Sequence, residues 1–99
     1  KVKNMQKMFM NCYSLATVPL LDTSGITGSS GLNQMFTSCN NLTDTSLDNI
    51  LQMCINATGY TGTKTLYNLG FMSTNIYPAT RWQALPHYQD FINAGWTIS

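Results

Sequence analysis

What this chain can fold into is constrained most by an internal repeat. Met8 to Thr17, MFMNCYSLAT, aligns without gaps on Met35 to Asp44, MFTSCNNLTD. Met8 matches Met35, Phe9 matches Phe36, Cys12 matches Cys39 and Leu15 matches Leu42, an offset of 27 residues, and Met5 falls on Leu32 in the same register. A unit this short cannot bury its apolar side alone, so copies must stack and place equivalent residues above one another.

Within a unit, Met5, Met8 and Phe9 lie at helical spacing, which predicts one short helix or helical turn. Leu15 to Val18 has the length and alternation of a short strand, closed by Pro19, whose missing N–H stops further pairing. The unit therefore reads as helix, Cys-containing turn, strand, and an Asp22-Thr23-Ser24-Gly25 loop leading to the next helix.

The run Asn4-Met5-x-x-Met8-Phe9-x-Asn11-Cys12-x-Ser14-Leu15-x-Thr17-Val18-Pro19, followed by Leu21-Asp22-Thr23-Ser24 and Ile26-Thr27, resembles the BspA-like leucine-rich repeats. That family occurs on surface proteins of gut and oral bacteria, some protozoa and their phages. The likeness covers about the first 45 residues. It implies an α/β fold: a right-handed, leucine-rich-repeat-like solenoid with short parallel strands on one face, short helices on the other and a helical carboxy-terminal cap. It also implies adhesion or protein recognition, with no known catalysis. The second copy departs from the pattern, because Thr43-Asp44-Thr45-Ser46 stands where the strand and loop should be. Residues 1–45 are thus read as two units, and residues 46–99 as a degenerate repeat and cap.

In the carboxy-terminal half, Thr45 with Asp48 three residues on reads as a capping box opening a helix that runs to about Ala57, with Leu47, Ile50, Leu51 and Cys54 on one face. Thr63 to Gly70 is Thr- and Tyr-rich and is expected to be a further strand of the sheet. Pro78 starts a brief helix over Ala79 to Ala84. A last helix begins near Pro86, carries Tyr88, Phe91 and Ile92 on one face and ends at Gly95, so that Trp96 folds back into the core. Thr97 and Ile98 are read as a final short strand.

Five basic and four acidic residues give a net charge of +1, and the acids are all Asp. So weak a charge excludes the electrostatic footprint of nucleic-acid or anionic-lipid binding. No apolar run approaches the roughly 18 residues that cross a bilayer, so membrane insertion is not expected. A chain opening on Lys1 with no signal pattern before it reads as a processed chain or an excised segment. Cys12, Cys39 and Cys54 are three in number and lack the close couples of zinc sites, which predicts buried free thiols.

Catalytic readings find little support. Leu20-Leu21-Asp22-Thr23-Ser24-Gly25 differs by the inserted Ser24 from the Asp-Thr-Gly loop of aspartic proteases, whose chemistry needs two such carboxylates sharing a proton. Asp22 is instead expected to bond its own turn, which leaves a hydrolase using Asp22 as a remote alternative. A thiol nucleophile would pair Cys54 with His87, the one histidine, but Cys54 sits on a helix's apolar stripe. No metal-ligand cluster and no cofactor motif is present. Met5, Met8 and Met35 occupy stacking positions, where core packing accounts for them. Asn41-Leu42-Thr43 and Asn56-Ala57-Thr58 are glycosylation sequons in form, but such triplets arise by chance in an Asn- and Thr-rich chain.

Two surfaces are candidates for binding. One is the expected strand face, with Thr17 in one coil, Asp44 in the next, and Thr65 and Tyr67 beyond. The other is the group Tyr77, Arg81, Trp82, His87 and Tyr88, since exposed Trp, Tyr and Arg anchor interfaces. The expected function is a non-enzymatic recognition or adhesion module of a cell-surface or secreted protein. Its partners are expected to be a protein or glycan on another cell, or in a virion assembly, and the neighbouring repeats of a longer chain. The alternative is a structural virion component, a decoration or fibre module of a gut bacteriophage.

Overall fold

Residues 4–13 and 31–40 carry the repeated sequence, and their backbones repeat with it. Lys7 (φ 59°) and Asn11 (φ 64°) adopt the left-handed conformation, as do Gln34 (φ 56°) and Ser38 (φ 65°). A left-handed residue cannot continue a right-handed helix, so helical spacing here yields a chain of single turns. Met8 N–H closes on Met5 O (3.1 Å), Met10 on Lys7 (3.1 Å) and Cys12 on Phe9 (3.1 Å); 27 residues later, Met35 closes on Leu32 (3.3 Å), Thr37 on Gln34 (3.3 Å) and Cys39 on Phe36 (3.0 Å). The computed structural model describes residues 2–72 and 74–99 of the chain.

We refer to residues 4–13 as layer 1, 31–40 as layer 2 and 64–72 as layer 3. The main chains of successive layers are directly bonded. Met5, Lys7, Phe9 and Asn11 donate N–H to Gly31, Asn33, Met35 and Thr37 carbonyls at 2.8, 3.0, 2.9 and 2.8 Å; Gln34 and Phe36 then donate to Asn68 and Leu69 at 2.8 and 2.9 Å. Apolar side chains follow the same stack. The Phe9 and Phe36 ring centroids lie 5.6 Å apart, and Phe36 and Phe71 5.5 Å apart, both pairs stacked. Cys39 Sγ donates to Phe9 O at 3.0 Å, and all three cysteines are free thiols.

The expected α/β solenoid is corrected. Among the described residues there is no strand, and β-type pairing is limited to two isolated parallel bridges, Gly28 with Tyr60 and Thr65 with Thr97. The repeats carry no helix either. Among the described residues the helices are α1 (Asp44–Asn56), α2 (Ala79–Gln83) and α3 (Tyr88–Asn93), all of which follow the second repeat. The physical reason is where the polar groups of the presumed strand go. Val18 N–H donates to Ser46 Oγ (2.8 Å), Ser46 Oγ donates to Ala16 O (3.1 Å) and Asn49 Nδ2 donates to Val18 O (2.9 Å). Side chains of α1 thus take both main-chain groups of Val18, and Ala16 O, which also accepts the Thr43 backbone N–H (3.0 Å), makes a single main-chain bond and no ladder. The second presumed strand fails because Leu69 N–H turns back onto Leu66 O and Gly70 onto Tyr67 O, so that Thr65 makes one bridge and no ladder.

Helix α1 is capped by Thr43, not Thr45: Thr43 Oγ1 accepts Ser46 N–H at 3.3 Å. Its face of Leu47, Ile50, Leu51, Met53 and Cys54 is buried. At the end of α3, Gly95 (φ 92°) donates to Ile92 O (3.0 Å) and Trp96 to Phe91 O (3.3 Å), the paired bonds of a Schellman closure. Trp96 is thereby buried between Phe91 (5.9 Å) and Tyr60 (5.6 Å). One turn breaks the repeat. Leu15 N–H closes directly on Cys12 O at 3.2 Å, whereas in the second unit the Tyr77 hydroxyl stands between, donating to Cys39 O and accepting from Leu42 N–H.

Candidate binding surface

Asp44, Asp48, Arg81 and His87 gather where α1 begins. Asp44 sits in the first turn of α1, where a carboxylate is favoured by the helix dipole. Arg81, from α2, donates Nε to Asp44 Oδ1 (2.6 Å), Nη2 to Leu42 O (2.7 Å) and Nη1 to Ile76 O (3.1 Å), and its guanidinium lies 5.2 Å from the Tyr77 ring centre. One turn further along α1, Asp48 Oδ1 accepts the His87 backbone N–H (3.0 Å) and Oδ2 meets His87 Nδ1 at 2.7 Å. An ionised carboxylate only accepts, so Nδ1 carries the proton in that contact. A cleft of about 500 Å³ lies between these pairs, lined by Asp44, Thr45, Asp48, Arg81, Ala84, Leu85 and Pro86.

This constellation has the parts of an acid–base site, but its bonds run inward. Arg81 ties α2 to the start of α1 and to the preceding loop, and Asp48 ties the entrance of α3 to α1. Among the described residues, no Ser, Thr or Cys side chain is bonded to His87, and no three His, Cys, Asp or Glu side chains converge as metal ligands. Cys54, the thiol considered with His87, is buried in the face of α1, and desolvation drives its pKa upward. Asp22 Oδ1 accepts both the backbone N–H (2.9 Å) and the hydroxyl (2.6 Å) of Ser24, the turn-bonding role expected of it.

The presumed interface cluster is largely core. Trp82 is fully buried with Phe71 at 4.9 Å, and Tyr77 is buried with Phe71 at 5.2 Å, its phenol pKa raised by burial. Tyr88 is half-buried beside Phe91 (6.2 Å). Of the presumed strand face, Thr17, Asp44 and Tyr67 are exposed, whereas Thr65 is half-buried in its bridge and its Oγ1 accepts Asn68 N–H at 3.0 Å. With no sheet to align them, these residues do not make one strand face.

The surface that sequence reasoning missed is the outer side of layer 1. Met8, expected to pack inside the stack, is 47% exposed, Tyr13 is 57% exposed and Met10 is exposed beside them. The backbone there is equally open. The carbonyls of Asn4, Gln6, Met8 and Met10 accept no hydrogen bond from any described residue, while their equivalents 27 positions on, at Gly31, Asn33, Met35 and Thr37, each accept one from layer 1. The signal was the repeat itself, since the first copy in a stack has an uncovered side.

The chain matches no protein-family model, no curated protein and no solved structure. Among the described residues no helix is long and apolar enough to cross a membrane.

Proposed function

We propose that this chain is a non-enzymatic recognition module that attaches to a protein partner through the outer side of layer 1, in a cell-surface or secreted protein. The observation that carries this reading is that layer 1 combines a row of four carbonyls free of described partners with the exposed side chains Met8, Met10 and Tyr13. Carbonyls along an open edge recruit main-chain N–H groups, the mode by which sheet edges bind peptides, here on a turn layer. Methionines add an apolar surface that adapts to its partner. A polypeptide supplies both N–H groups and apolar side chains, so it suits this surface better than a glycan does. The likeness to BspA-like repeats supports the same class of function.

The test is selection of ligands from a displayed peptide library on the intact chain. Selected peptides should bind Met8→Lys/Tyr13→Ser at least tenfold more weakly and Asp44→Ala unchanged, a tenfold loss corresponding to about 1.4 kcal/mol. Affinities unmoved by the double substitution, or abolished by Asp44→Ala, would overturn the assignment of the surface.

A further inference from the structure

Charge distinguishes layer 1 from the layer beneath it. Lys3, at the entrance to layer 1, and Lys7, within it, stand where the second unit has Ser30 and Gln34, and residues 2–21 hold no acid. Both lysines are exposed, whereas Ser30 and Gln34 are half-buried. Among the described residues neither lysine enters an ion pair, while Asp44 and Asp48 are held by Arg81 and His87 at the start of α1. The same contrast runs along the layer. Asn4, Gln6, Met8, Met10 and Asn11 are exposed, and their counterparts Gly31, Asn33, Met35, Thr37 and Ser38 are half-buried or buried. Met8 against Met35 is the extreme, 47% against 0%.

A ligand for this layer has to satisfy carbonyls as well as cations. The carbonyls of Asn4, Gln6, Met8 and Met10 take donors, so the phosphates of a nucleic acid or the sulfates of a polysaccharide, which only accept, would meet a row of oxygens. A polypeptide separates the two tasks: its main-chain N–H groups donate, and Asp or Glu side chains carry the charge. In extended form it sends successive side chains to opposite sides, so acids can alternate with the apolar residues that suit Met8. A second copy of this chain does not fit, because layer 1 against layer 1 opposes lysine to lysine and carbonyl to carbonyl.

We infer that the segment layer 1 recognises is acidic: an extended stretch of a partner protein in which Asp or Glu alternates with apolar residues. Its carboxylates pair with Lys3 and Lys7, and its N–H groups with the open carbonyls. This rests on the reading of layer 1 as the docking face and names the chemistry of its partner. The lysines would supply salt-sensitive steering and selectivity, and the apolar contacts the rest of the affinity.

The repeat itself supplies the variant. Lys3→Ser/Lys7→Gln installs the residues of the second unit, and Gln34 (φ 56°) already holds the left-handed conformation of Lys7 (φ 59°), so the melting temperature should not change. Peptides selected on the intact chain from a displayed random library at about 50 mM salt should be richer in Asp and Glu than the unselected pool. They should bind Lys3→Ser/Lys7→Gln about fivefold more weakly, the size expected of two exposed ion pairs, and about 500 mM salt should erase the difference. The same peptides with Asn for Asp and Gln for Glu should lose that fivefold on the parent chain, a reading independent of how any variant folds. Lys64→Gln, a charge removed at layer 3, should leave affinity unchanged. Neutral or basic selected peptides overturn the assignment, as do acidic ones that bind equally with and without the two lysines, or that are weakened as much by Lys64→Gln. Heparin binding with the same dependence on Lys3 and Lys7 would also overturn it, marking a site for any polyanion. Peptides weakened by Met8→Ser/Tyr13→Ser, which leaves the charge alone, but indifferent to the lysines keep the docking face and remove the acidic partner. Peptides indifferent to both substitutions, or a library that yields none, remove both.

Discussion

The two ends of the stack are built from the same kind of backbone and finished differently. At layer 3 the donor row is closed: Leu66 and Tyr67 bond to Thr97 and Ile98, Thr97 N–H returns to Lys64 O, and Trp96 seals the apolar interior. At layer 1 the acceptor row is open, and methionine and tyrosine side chains stand in solvent. One end of the stack is closed by its own chain, and the other leaves its acceptors open among the described residues. The lesson is that equivalent residues in a repeat differ in energetic weight according to how many neighbours flank them.

The sharpest way to break that comparison is to truncate equivalent rings. Phe36, buried between two aromatic neighbours, should cost about 3–5 kcal/mol on Phe36→Ala, whereas half-buried Phe9 should cost well under half of that on Phe9→Ala, both read by urea denaturation. Equal losses would mean that layer 1 is as fully packed as layer 2.

Glycines at the closed end give a second, smaller contrast. Gly70 (φ 108°) and Gly95 (φ 92°) both hold a conformation that L side chains avoid. A Cβ on Gly70 would collide with the Thr37 backbone nitrogen, while one on Gly95 meets open space. Gly95→Ala should therefore cost about 1–2 kcal/mol from strain alone, and Gly70→Ala more, as shifts in the denaturation midpoint.

The smallest expected effect is chemical. Cys12 and Cys39 are equivalent in sequence, but Cys39 is buried and Cys12 half-exposed, so an aromatic disulfide reagent should modify Cys12 rapidly and Cys39 and Cys54 only on unfolding. Burial raises the pKa of Cys39 above the usual 9.0 and those of Tyr60 and Tyr77 above the usual 10.0. A raised native pKa means that the unfolded chain releases its proton first, so the stability from these groups is complete below pH 9 and is lost as pH climbs past it. Thermal melts at pH 8 and pH 10.5 should show that decline; a flat profile would contradict the burial.

Much of this arrangement was legible in the sequence, for a physical reason. Repeated apolar side chains must meet their equivalents, so the Phe9–Phe36 pairing followed from the 27-residue register alone, and Gly95 announced the closure that buries Trp96. The secondary structure was not legible in the same way. Lys7, Gln34, Asn11 and Ser38 take the left-handed conformation without a glycine to mark it, so the spacing of Met5, Met8 and Phe9 suggested a helix where single turns place the same residues on the same side. The strand at residues 15–18 was lost to the side chains of Ser46 and Asn49, a competition no local pattern records. Tyr77 and Trp82 have the composition of an interface because aromatic residues that anchor partners and those that fill cores are the same types.

The Tyr77 hydroxyl wedged between Cys39 and Leu42 has a thermodynamic corollary. Because a side chain from beyond α1 occupies a main-chain bond of the second unit, that unit cannot reach its native conformation until the sequence 35 residues further on has arrived. Layer 2 and the helical half are therefore expected to open as one unit, and layer 1, flanked on one side only, to fray before them.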